Sequence, residues 1–267
     1  MTHDKSLSLD LILKDLGSFI VSFSGGVDSS FLLHRAKSLN SPKVMAVTLR
    51  TPYIPSREIS EAVAFAKSHR IDHQIIDMEF PGNIKHNPRE RCYLCKNILF
   101  TEVVNFARQN GFKYVVDGTN ADDLVETRPG LRALNELNIR SPLAEAELTK
   151  DDIRELAKDA GLTIWNKPAM ACLLTRIPYN TEVTGEILKM IEQAEDLLFE
   201  KGYAGARVRV HGDVARIECL PGYVGKILND PRRQHIINDL KKIGFRYISL
   251  DLEGYRSGSM DQEIKEL

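Results

Sequence analysis

Two cysteines lie three positions apart in the segment RCYLCK, as Cys92 and Cys95, in a chain with only four cysteines. Thiols at this spacing form disulfides, bind metal ions or act as redox pairs. A structural zinc site usually takes four protein ligands, and none of the seven histidines shows ligand spacing with a cysteine. His86 is the nearest histidine, and a lone loop histidine is usually solvated. The spacing by itself leaves a metal site and a redox site open.

The other two cysteines differ in their surroundings. Cys219, in ARIECL, shares one face of a predicted strand with Ile217, so we expect a small apolar core residue there. Cys172, in ACLLTR, lies in a segment without a clear period. Three thiolates without a fourth suit a [4Fe–4S] cluster with one iron open to an outside ligand. A zinc site completed by another side chain is the alternative.

A glycine-rich turn in VSFSGGVDSSFLLH is predicted to bind phosphate. A strand ends at Phe23 and a helix begins near Val27, so backbone N–H groups at the helix start face the turn. Glycine lets the backbone approach an anion because it carries no Cβ. The predicted nucleotide-binding residues are Ser24, Gly25, Gly26, Val27, Asp28 and Ser29.

The turn lacks the Gly-Lys-Ser/Thr ending of a Walker A loop and the third glycine of a dinucleotide fingerprint. It resembles the PP-loop of the ATP pyrophosphatase superfamily. The resemblance implies that ATP, with Mg²⁺, is cleaved between its α and β phosphates. A carbonyl or carboxylate oxygen is then adenylylated, and a nucleophile displaces AMP. Asp28 is expected to take a catalytic part by orienting the metal ion or the loop.

The elements that position this turn follow an alternating pattern. SFIVSF, KVMAVTL, DHQIIDM and KYVVDG read as strands, and helix-length amphipathic segments separate them. Such alternation predicts an α/β fold, with a parallel sheet and helices on both faces. A further helix is expected to begin at Thr149, with Asp152 completing a capping box, and to end at Gly161.

The pattern changes after Thr181. A long helix, a hairpin turning at residues 211–213, one helix within residues 224–244 and a final strand predict a small α+β domain. Trp165, the only tryptophan, is expected to pack beside the loop of residues 166–180 instead of stacking on a base. The predicted organisation is a PP-loop domain, a linker that carries active-site residues and a small α+β domain, at residues 1–165, 166–180 and 181–267.

Polar residues at the sheet edge form a second group of candidates. Asp117, Asp122 and Asp123 follow a strand, and any of them could hold Mg²⁺; an acidic capped loop is the alternative. Gly118 lies among them and is predicted to bind the nucleotide. Thr48 is expected to end the second strand, where main-chain contacts to adenine or ribose are made.

Basic side chains form a third group. Arg128 and Arg132 are expected to face phosphate or to be exposed. Lys96 follows Cys95 and is predicted to bring catalytic positive charge, with a surface lysine as the alternative. Arg207 and Arg209 share one strand face, and two adjacent guanidinium groups suit a phosphate group. The solvated face of a hairpin is the alternative.

Composition limits the classes of function. The net charge of −1 gives no general attraction to nucleic acid. No basic leader and no stretch of roughly 20 apolar residues is present, so we expect a cytoplasmic protein without a membrane partner. A disulfide is disfavoured in that compartment. Because only residues 1–23 precede the glycine-rich turn, we expect no glutaminase domain in the chain.

Five further segments carry a more specific resemblance: SFSGGVDSS, DGTNADDLVETRPGLRA, KPAMACLLTRIPY, ARVRVH and LDLEGYRSGSM. Together they are similar to the LarE-type sulfur insertases, over about residues 18–260. Members of that family use ATP to build the nickel-pincer nucleotide cofactor of lactate racemase. The resemblance implies a pyridinium mononucleotide substrate with two carboxylates, one of which is adenylylated and converted to a thiocarboxylate.

The same resemblance bears on the cysteines. In one group of members a single cysteine, matched here by Cys172, gives up its sulfur and becomes dehydroalanine. In another group a CxxC pair and that cysteine hold a [4Fe–4S] cluster whose extra sulfide is transferred. Cys92 and Cys95 make this chain similar to the second group. The resemblance also implies that Arg207 and Arg209 bind substrate phosphate or lie at a subunit interface. It further implies a homo-oligomer and a source of sulfide.

Three other classes of protein share some of these features. A tRNA thiolase would need a broad basic surface. An amide-forming ligase would use ammonia and would not need the cysteines. A nucleotide-binding regulatory module or an iron–sulfur carrier would release no pyrophosphate.

Overall fold

A four-stranded parallel sheet forms the centre of the first of two units in the computed structural model, which describes residues 2–40, 42–125, 129–168 and 171–256. The first unit comprises the described parts of residues 1–84 and 90–170. The second comprises residues 85–89 together with the described residues from 171 onward. The predicted domain boundaries at residues 165 and 181 remain a prediction.

The strands of the first sheet confirm the predicted α/β fold class. The order is β3-β2-β1-β4, and each neighbouring pair runs parallel. In such a sheet all carboxyl ends of the strands lie at one edge, and ligands bind where the strand order reverses. Here that point lies between β1 and β4. The strand bounds are β1 Ser18–Ser22, β2 Lys43–Arg50, β3 His73–Asp77 and β4 Tyr114–Val116.

Side chains alternate across β1, which places helices on both faces of the sheet. Phe19 and Val21 belong to one buried cluster and Ile20 to another. The first cluster draws on α1, α2, α3 and α8, and the second on α4 and α6. The helix bounds are α1 Thr2–Leu16, α2 Val27–Ser38, α3 Ser56–Ser68, α4 Arg91–Gln109, α5 Ala121–Val125, α6 Pro129–Glu136, α7 Pro142–Glu145 and α8 Lys150–Asp159.

The predicted capping box at the start of α8 is confirmed. The Thr149 side chain accepts from the Asp152 N–H, and the Asp152 carboxylate accepts from the Thr149 N–H at 3.1 Å. The same carboxylate pairs with Lys5 Nζ of α1 at 2.7 Å and accepts from the Thr2 hydroxyl. Asp152 therefore caps one helix and ties it to another, which no local pattern indicates.

The second unit is the predicted small α+β fold. β5 and β6 form an antiparallel hairpin, and β7 joins β6 in parallel. Gly212 has φ of +58°, which suits the tight two-residue turn of this hairpin. The bounds are α9 Gly185–Glu200, β5 Arg207–His211, β6 Val214–Glu218, α10 Pro221–Leu228, α11 Arg233–Ile243 and β7 Tyr247–Leu250.

The single helix predicted within residues 224–244 is wrong. α10 ends at Leu228 and α11 begins at Arg233, with Pro231 between them. Proline cannot donate the helical hydrogen bond and clashes with the preceding turn. The break is stabilised by Asp230, whose carboxylate accepts from the Tyr203 hydroxyl at 2.5 Å and from the Arg232 N–H at 2.7 Å.

In the described ranges, no helix combines the length and the apolar character needed to cross a membrane.

Cys219 is fully buried in the second unit, as predicted for a core residue.

Replacing Asp152 by Ala should destabilise the protein by about 1 kcal/mol, because both the cap and the contact to α1 are lost. The hydrogen bond from Lys5 and that from the Thr149 N–H lower the pKa of the Asp152 carboxyl. Its stabilisation is therefore complete above its ordinary pKa of 3.8 and is lost as the pH falls through the lower folded value.

Urea unfolding at pH 7 and in acid measures this difference, with the exposed neighbour Asp151 replaced by Ala as the control. An unfolding free energy equal to that of the control at pH 7 would contradict the prediction.

Candidate active site

The predicted phosphate-binding turn lies between β1 and α2 and depends on both of its glycines. Gly25 has φ of +71°, a conformation that side chains with a Cβ rarely adopt. A Cβ there would also lie 3.1 Å from Ala62 Cβ of α3, and one at Gly26 would lie 3.3 Å from Ser24 Oγ. The first amides of α2 have no partner within the helix and face this turn. The backbone therefore forms a cradle suited to an anion.

Two serines brace the turn from inside. Ser24 Oγ and Ser29 Oγ lie 3.1 Å apart, and Ser24 Oγ accepts from the Gly26 N–H at 3.3 Å. Ser29 is almost fully buried, and its hydroxyl also accepts from the Ser24 N–H. Val27 begins α2 with its side chain in the core, so only its main chain is available to a ligand. The predicted loop residues therefore come together.

The loop after β4 packs against this turn. A Cβ at Gly118 would lie only 2.9 Å from the Ser29 backbone N, closer than real Cβ atoms approach. Gly118 is therefore required for the contact between the β4 loop and the first turn of α2. Its predicted role at the nucleotide site gains a structural reason, since it allows two loops at the sheet edge to meet.

Asp28 lies on the first turn of α2 with one oxygen, Oδ1, that is buried without a hydrogen-bond partner among the described residues. Burial raises the pKa of its carboxyl, and Asp123 adds to the rise while Lys150 opposes it. Asn120 is fully buried, and its side chain lies close enough to Asp28 to lower the pKa of that carboxyl, while its Nδ2 makes no hydrogen bond of ordinary geometry to a described residue. An unpaired carboxylate oxygen and an unpaired amide at one sheet edge suit a hydrated cation or a phosphate ligand.

The three aspartates after β4 have structural partners. Asp117 is buried and accepts from the Thr119 and Ser141 hydroxyls at 2.5 and 2.7 Å. Asp122 accepts from the Lys150 N–H at the start of α8, and Asp123 accepts from the Asn120 N–H. These contacts agree with the alternative of an acidic capped loop. Of the acidic candidates, Asp28 has the stronger claim to a metal ion.

Sequence reasoning missed Lys167, which contacts the turn from the end of the first unit. Its Nζ donates to the Gly25 carbonyl at 2.9 Å and pairs with Glu61 of α3 at 2.6 Å. The lysine is mostly buried, and its cation lies directly behind the anion cradle. The sequence signal was the KPAM segment, whose lysine precedes a proline outside any helix.

Cys92 and Cys95 lie in the first turn of α4. Residues three apart share one helical face, so both thiols point to one side of the helix. Cys92 is exposed and Cys95 is half-buried, with its Sγ 3.1 Å from the Tyr53 hydroxyl. Tyr53 is among the largest fully buried side chains and was not predicted as a site residue. The two thiols therefore have different environments.

Lys96 runs along α6 instead of extending into solvent. A Cβ at Gly130 would lie 2.7 Å from Lys96 Cδ, so the absence of a side chain at that position makes room for the lysine stem. Arg132 stacks on the Tyr93 ring at 3.6 Å and lies 3.5 Å from Glu136, in a surface cluster. Arg128 lies outside the described residues.

Cys172 belongs to the second unit and directly precedes the short 3₁₀ helix Leu173–Arg176. Its carbonyl accepts from the Thr175 N–H and hydroxyl at 3.1 and 2.9 Å. The side chain is half-buried and forms no disulfide. The candidate sulfur-bearing residue thus lies on a turn with a defined backbone.

Arg207 and Arg209 are buried, so the alternative of a solvated hairpin face is wrong. Arg209 pairs with Glu218 at 2.8 Å, and Arg207 lies 3.9 Å from Glu195. Because carboxylates from other elements pair with these arginines, this face of β5 lies in the interior of the second unit. The alternation of ARVRVH does not reveal those partners.

Thr48 is not at the end of its strand, as the sequence suggested, because β2 continues to Arg50. Its hydroxyl is buried and donates to the Phe23 carbonyl at 2.7 Å, and His73 Nε2 lies 2.8 Å from the same oxygen. Its side chain therefore supports the base of the phosphate-binding turn.

Trp165 is partly exposed, with Lys158 Nζ over its ring.

The cysteines fit a metal centre only in part. Two thiols on one face at a helix start provide a suitable donor pair for iron or zinc. Within residues 2–40, 42–125, 129–168 and 171–256, however, no three His, Cys, Asp or Glu side chains come together as a metal-binding group. The pair fits two ligands of a thiolate-bound group, and the described residues do not assemble a third.

Known proteins resemble this chain over most of its length. A family model described as queuosine biosynthesis protein QueC matches residues 18–91. The pyridinium-3,5-bisthiocarboxylic acid mononucleotide synthase of Lactiplantibacillus plantarum is 35% identical, covering 97% of this chain and 95% of its own. The chain belongs to the LarE-type family of PP-loop sulfur insertases. It is therefore an enzyme of the sulfurtransferase class.

Two other relatives match this chain over most of its length. An uncharacterized protein of Synechocystis sp. is 35% identical over 99% of both chains. One of the subunits of the glutamine-hydrolyzing GMP synthase of Pyrococcus abyssi is 25% identical, covering 86% of this chain and 85% of its own.

Asp28→Asn is expected to lower ATP-dependent pyrophosphate release by roughly 100-fold, because the carboxylate that would orient the metal ion is lost. The same change should raise thermal stability. A buried carboxyl with a raised pKa destabilises the folded state as the pH rises through that pKa, so the neutral amide removes a cost at pH 7.

Pyrophosphate assays and thermal melts measure both effects, with the exposed Asp151→Asn as the control. A rate close to that of the wild type would contradict the assignment of Asp28.

Alkylation of the native LarE-type chain with iodoacetamide should modify the exposed Cys92 and spare Cys219. Burial raises the pKa of the Cys219 thiol to about 11, so at pH 8 roughly one molecule in a thousand carries the thiolate. Peptide mass spectrometry before and after unfolding measures the labelling, and Cys92→Ala identifies the reactive peptide. Equal labelling of both cysteines in the native protein would refute this assignment.

Proposed function

We propose that this protein is an ATP-dependent sulfurtransferase that converts a carboxylate of pyridinium-3,5-biscarboxylic acid mononucleotide into a thiocarboxylate. The observation that carries the proposal is the similarity, over 97% of the chain, to a synthase whose name specifies the bisthiocarboxylic acid product. The anion cradle of Ser24, Gly25 and Gly26 supports it, because carboxylate activation requires a bound nucleotide.

In the proposed first step, the residues from Ser24 to Ser29 hold the ATP phosphates, and Asp28 orients a Mg²⁺ ion. An oxygen of the substrate carboxylate attacks the α-phosphorus, the bond from that phosphorus to the bridging oxygen breaks, and pyrophosphate leaves. The product is an acyl adenylate. AMP leaves the acyl carbon more readily than hydroxide would leave the free carboxyl group, so substitution at that carbon becomes accessible.

In the proposed second step, a sulfur nucleophile attacks the acyl carbon, the carbon–oxygen bond to AMP breaks, and AMP leaves. We propose that Cys92, Cys95 and Cys172 hold a [4Fe–4S] cluster. When bound, such a cluster would supply sulfide at the iron that has no protein ligand. The shared helical face of Cys92 and Cys95 supports this proposal, as does the presence of Cys172 in the ACLLTR segment.

A second route uses Cys172 alone, and it is supported by the defined backbone of the turn that carries this cysteine. In this route Cys172 Sγ attacks the acyl carbon and AMP leaves, giving a thioester. Loss of the Cα proton then breaks the Cβ–Sγ bond. The thiocarboxylate is released and dehydroalanine remains in the chain.

Other residues have supporting parts in the proposal. Lys96 would bring positive charge close to the CxxC pair, and Gly118 and the Thr48 main chain would line the nucleotide. Arg128, outside the described residues, would face phosphate. Arg207 and Arg209 would bind substrate phosphate only by exchanging a carboxylate partner, because both are already paired. A cytoplasmic homo-oligomer supplied with sulfide by a separate donor completes the proposal.

The decisive experiment measures iron, acid-labile sulfide and the visible spectrum of anaerobically reconstituted protein. About four irons per chain with a broad charge-transfer band are expected, and both should be lost in Cys92→Ala. Cys219→Ala is the matched control and should retain them, since that residue lies in the core. Product formation from ATP and the biscarboxylate is followed in parallel.

The outcomes separate the routes and the rival classes. Colourless protein that forms product once and loses the mass of H₂S from Cys172 supports the sacrificial route. Ammonia-dependent AMP formation that survives loss of Cys92, Cys95 and Cys172 would instead identify an amide-forming ligase. Thiolation of tRNA would identify a tRNA thiolase. Nucleotide or cluster binding without pyrophosphate release would identify a regulatory module or a carrier.

A further inference from the structure

We propose that Arg176 is a positioning residue that fixes the turn carrying Cys172, an inference that rests on the proposed role of Cys172 in sulfur handling. The guanidinium of Arg176 is 2% exposed. Its Nη1 donates to the Ala171 carbonyl at 2.9 Å, to the Cys172 carbonyl at 3.2 Å and to Thr175 Oγ1 at 2.7 Å. One nitrogen thus gathers three acceptors of the same turn.

The orientation of this guanidinium is set by Glu195 of α9. Arg176 Nε and Nη2 donate to the two Glu195 oxygens at 2.8 and 2.9 Å, in a bidentate pair. Glu195 is itself held, because its Oε1 accepts from the Val208 N–H of β5 at 2.9 Å. A continuous chain of hydrogen bonds therefore runs from the second sheet to the backbone of Cys172.

The far side of the turn is fixed independently by Asn87, which is fully buried. Its Nδ2 donates to the carbonyls of Leu174, Ile177 and Pro178 at 3.2, 2.7 and 3.1 Å. Asn87 therefore binds carbonyl groups that follow Cys172, and Arg176 binds the carbonyl groups of Ala171 and Cys172. The two contacts restrain the turn from both ends.

These contacts use the main-chain carbonyl of Cys172. A sulfur that attacks an acyl carbon, or that ligates iron, must be held close to its productive position, and displacements of about 1 Å are costly. A buried ion pair is a weak source of stability because desolvation of both charges offsets their attraction. The Arg176–Glu195 pair therefore contributes mainly to where the Cys172 turn lies.

Arg176→Lys tests the inference because lysine keeps the positive charge opposite Glu195 but cannot make a bidentate pair and hold the turn together. In metal-free protein lacking Cys92 and Cys95, alkylation of Cys172 should become about tenfold faster, and amide exchange at residues 172–176 should rise similarly. With Cys92 and Cys95 restored, kcat for thiocarboxylate formation should fall about tenfold with KM for ATP unchanged.

Arg232→Lys is the matched control in the same unit. Arg232 also makes a bidentate pair, with Asp230, and donates to the Lys201 carbonyl, but the turn with Cys172 is not among its contacts. The control should leave Cys172 alkylation and amide exchange at residues 172–176 unchanged.

If Arg176→Lys has the same Cys172 alkylation rate, amide exchange and kcat as the control Arg232→Lys, the inference is overturned. If the wild type forms no thiocarboxylate, the proposed function fails, and alkylation and exchange still decide whether Arg176 fixes the turn.

Discussion

The close approach of Gly118 to the first turn of α2 is the constraint on which the candidate nucleotide site depends. The strand order places β1 beside β4, so the loops that follow them share one sheet edge. Only a residue without a Cβ lets those loops meet, since any Cβ would lie 2.9 Å from the Ser29 nitrogen. That contact brings the β4 loop next to the anion cradle, where Asp123 acts on the pKa of Asp28. The position of the β4 loop beside the anion cradle and the electrostatics of Asp28 therefore both depend on one packing contact.

Local signals in the sequence were sufficient for the elements around this edge. The β-branched runs predicted all four strands, and the glycines between Ser24 and Val27 predicted the turn, because both depend on short-range sterics. Contacts between distant residues could not be read in the same way. Lys167 reaches the Gly25 carbonyl, and residues 85–89 join the second unit, through partners far apart in the chain. Arg207 is another example, because the alternation of the ARVRVH segment predicted its strand face but could not predict that this face is buried.

Buried charge distinguishes the second unit from the first. Arg176, Arg207 and Arg209 are each nearly inaccessible, and the carboxylates of Glu195 and Glu218 lie among them. Desolvating so many charges is expensive, and apolar residues of similar size would often be as stable. The cost is compatible with function if the arginines must hold particular positions, as Arg176 does for the turn with Cys172.

The reaction is determined by the nucleophile and not by the nucleotide site. The GMP synthase chain of Pyrococcus abyssi shares 25% identity over most of this protein, so the PP-loop fold alone does not select sulfur chemistry. The features that favour sulfur lie elsewhere, at Cys92 and Cys95 on α4 and at the fixed turn with Cys172. The two α4 thiols are also inequivalent, because Cys95 lies against the Tyr53 hydroxyl and Cys92 is exposed. The contact gives a buried tyrosine hydroxyl a polar partner, so the two thiols of the pair lie in different surroundings.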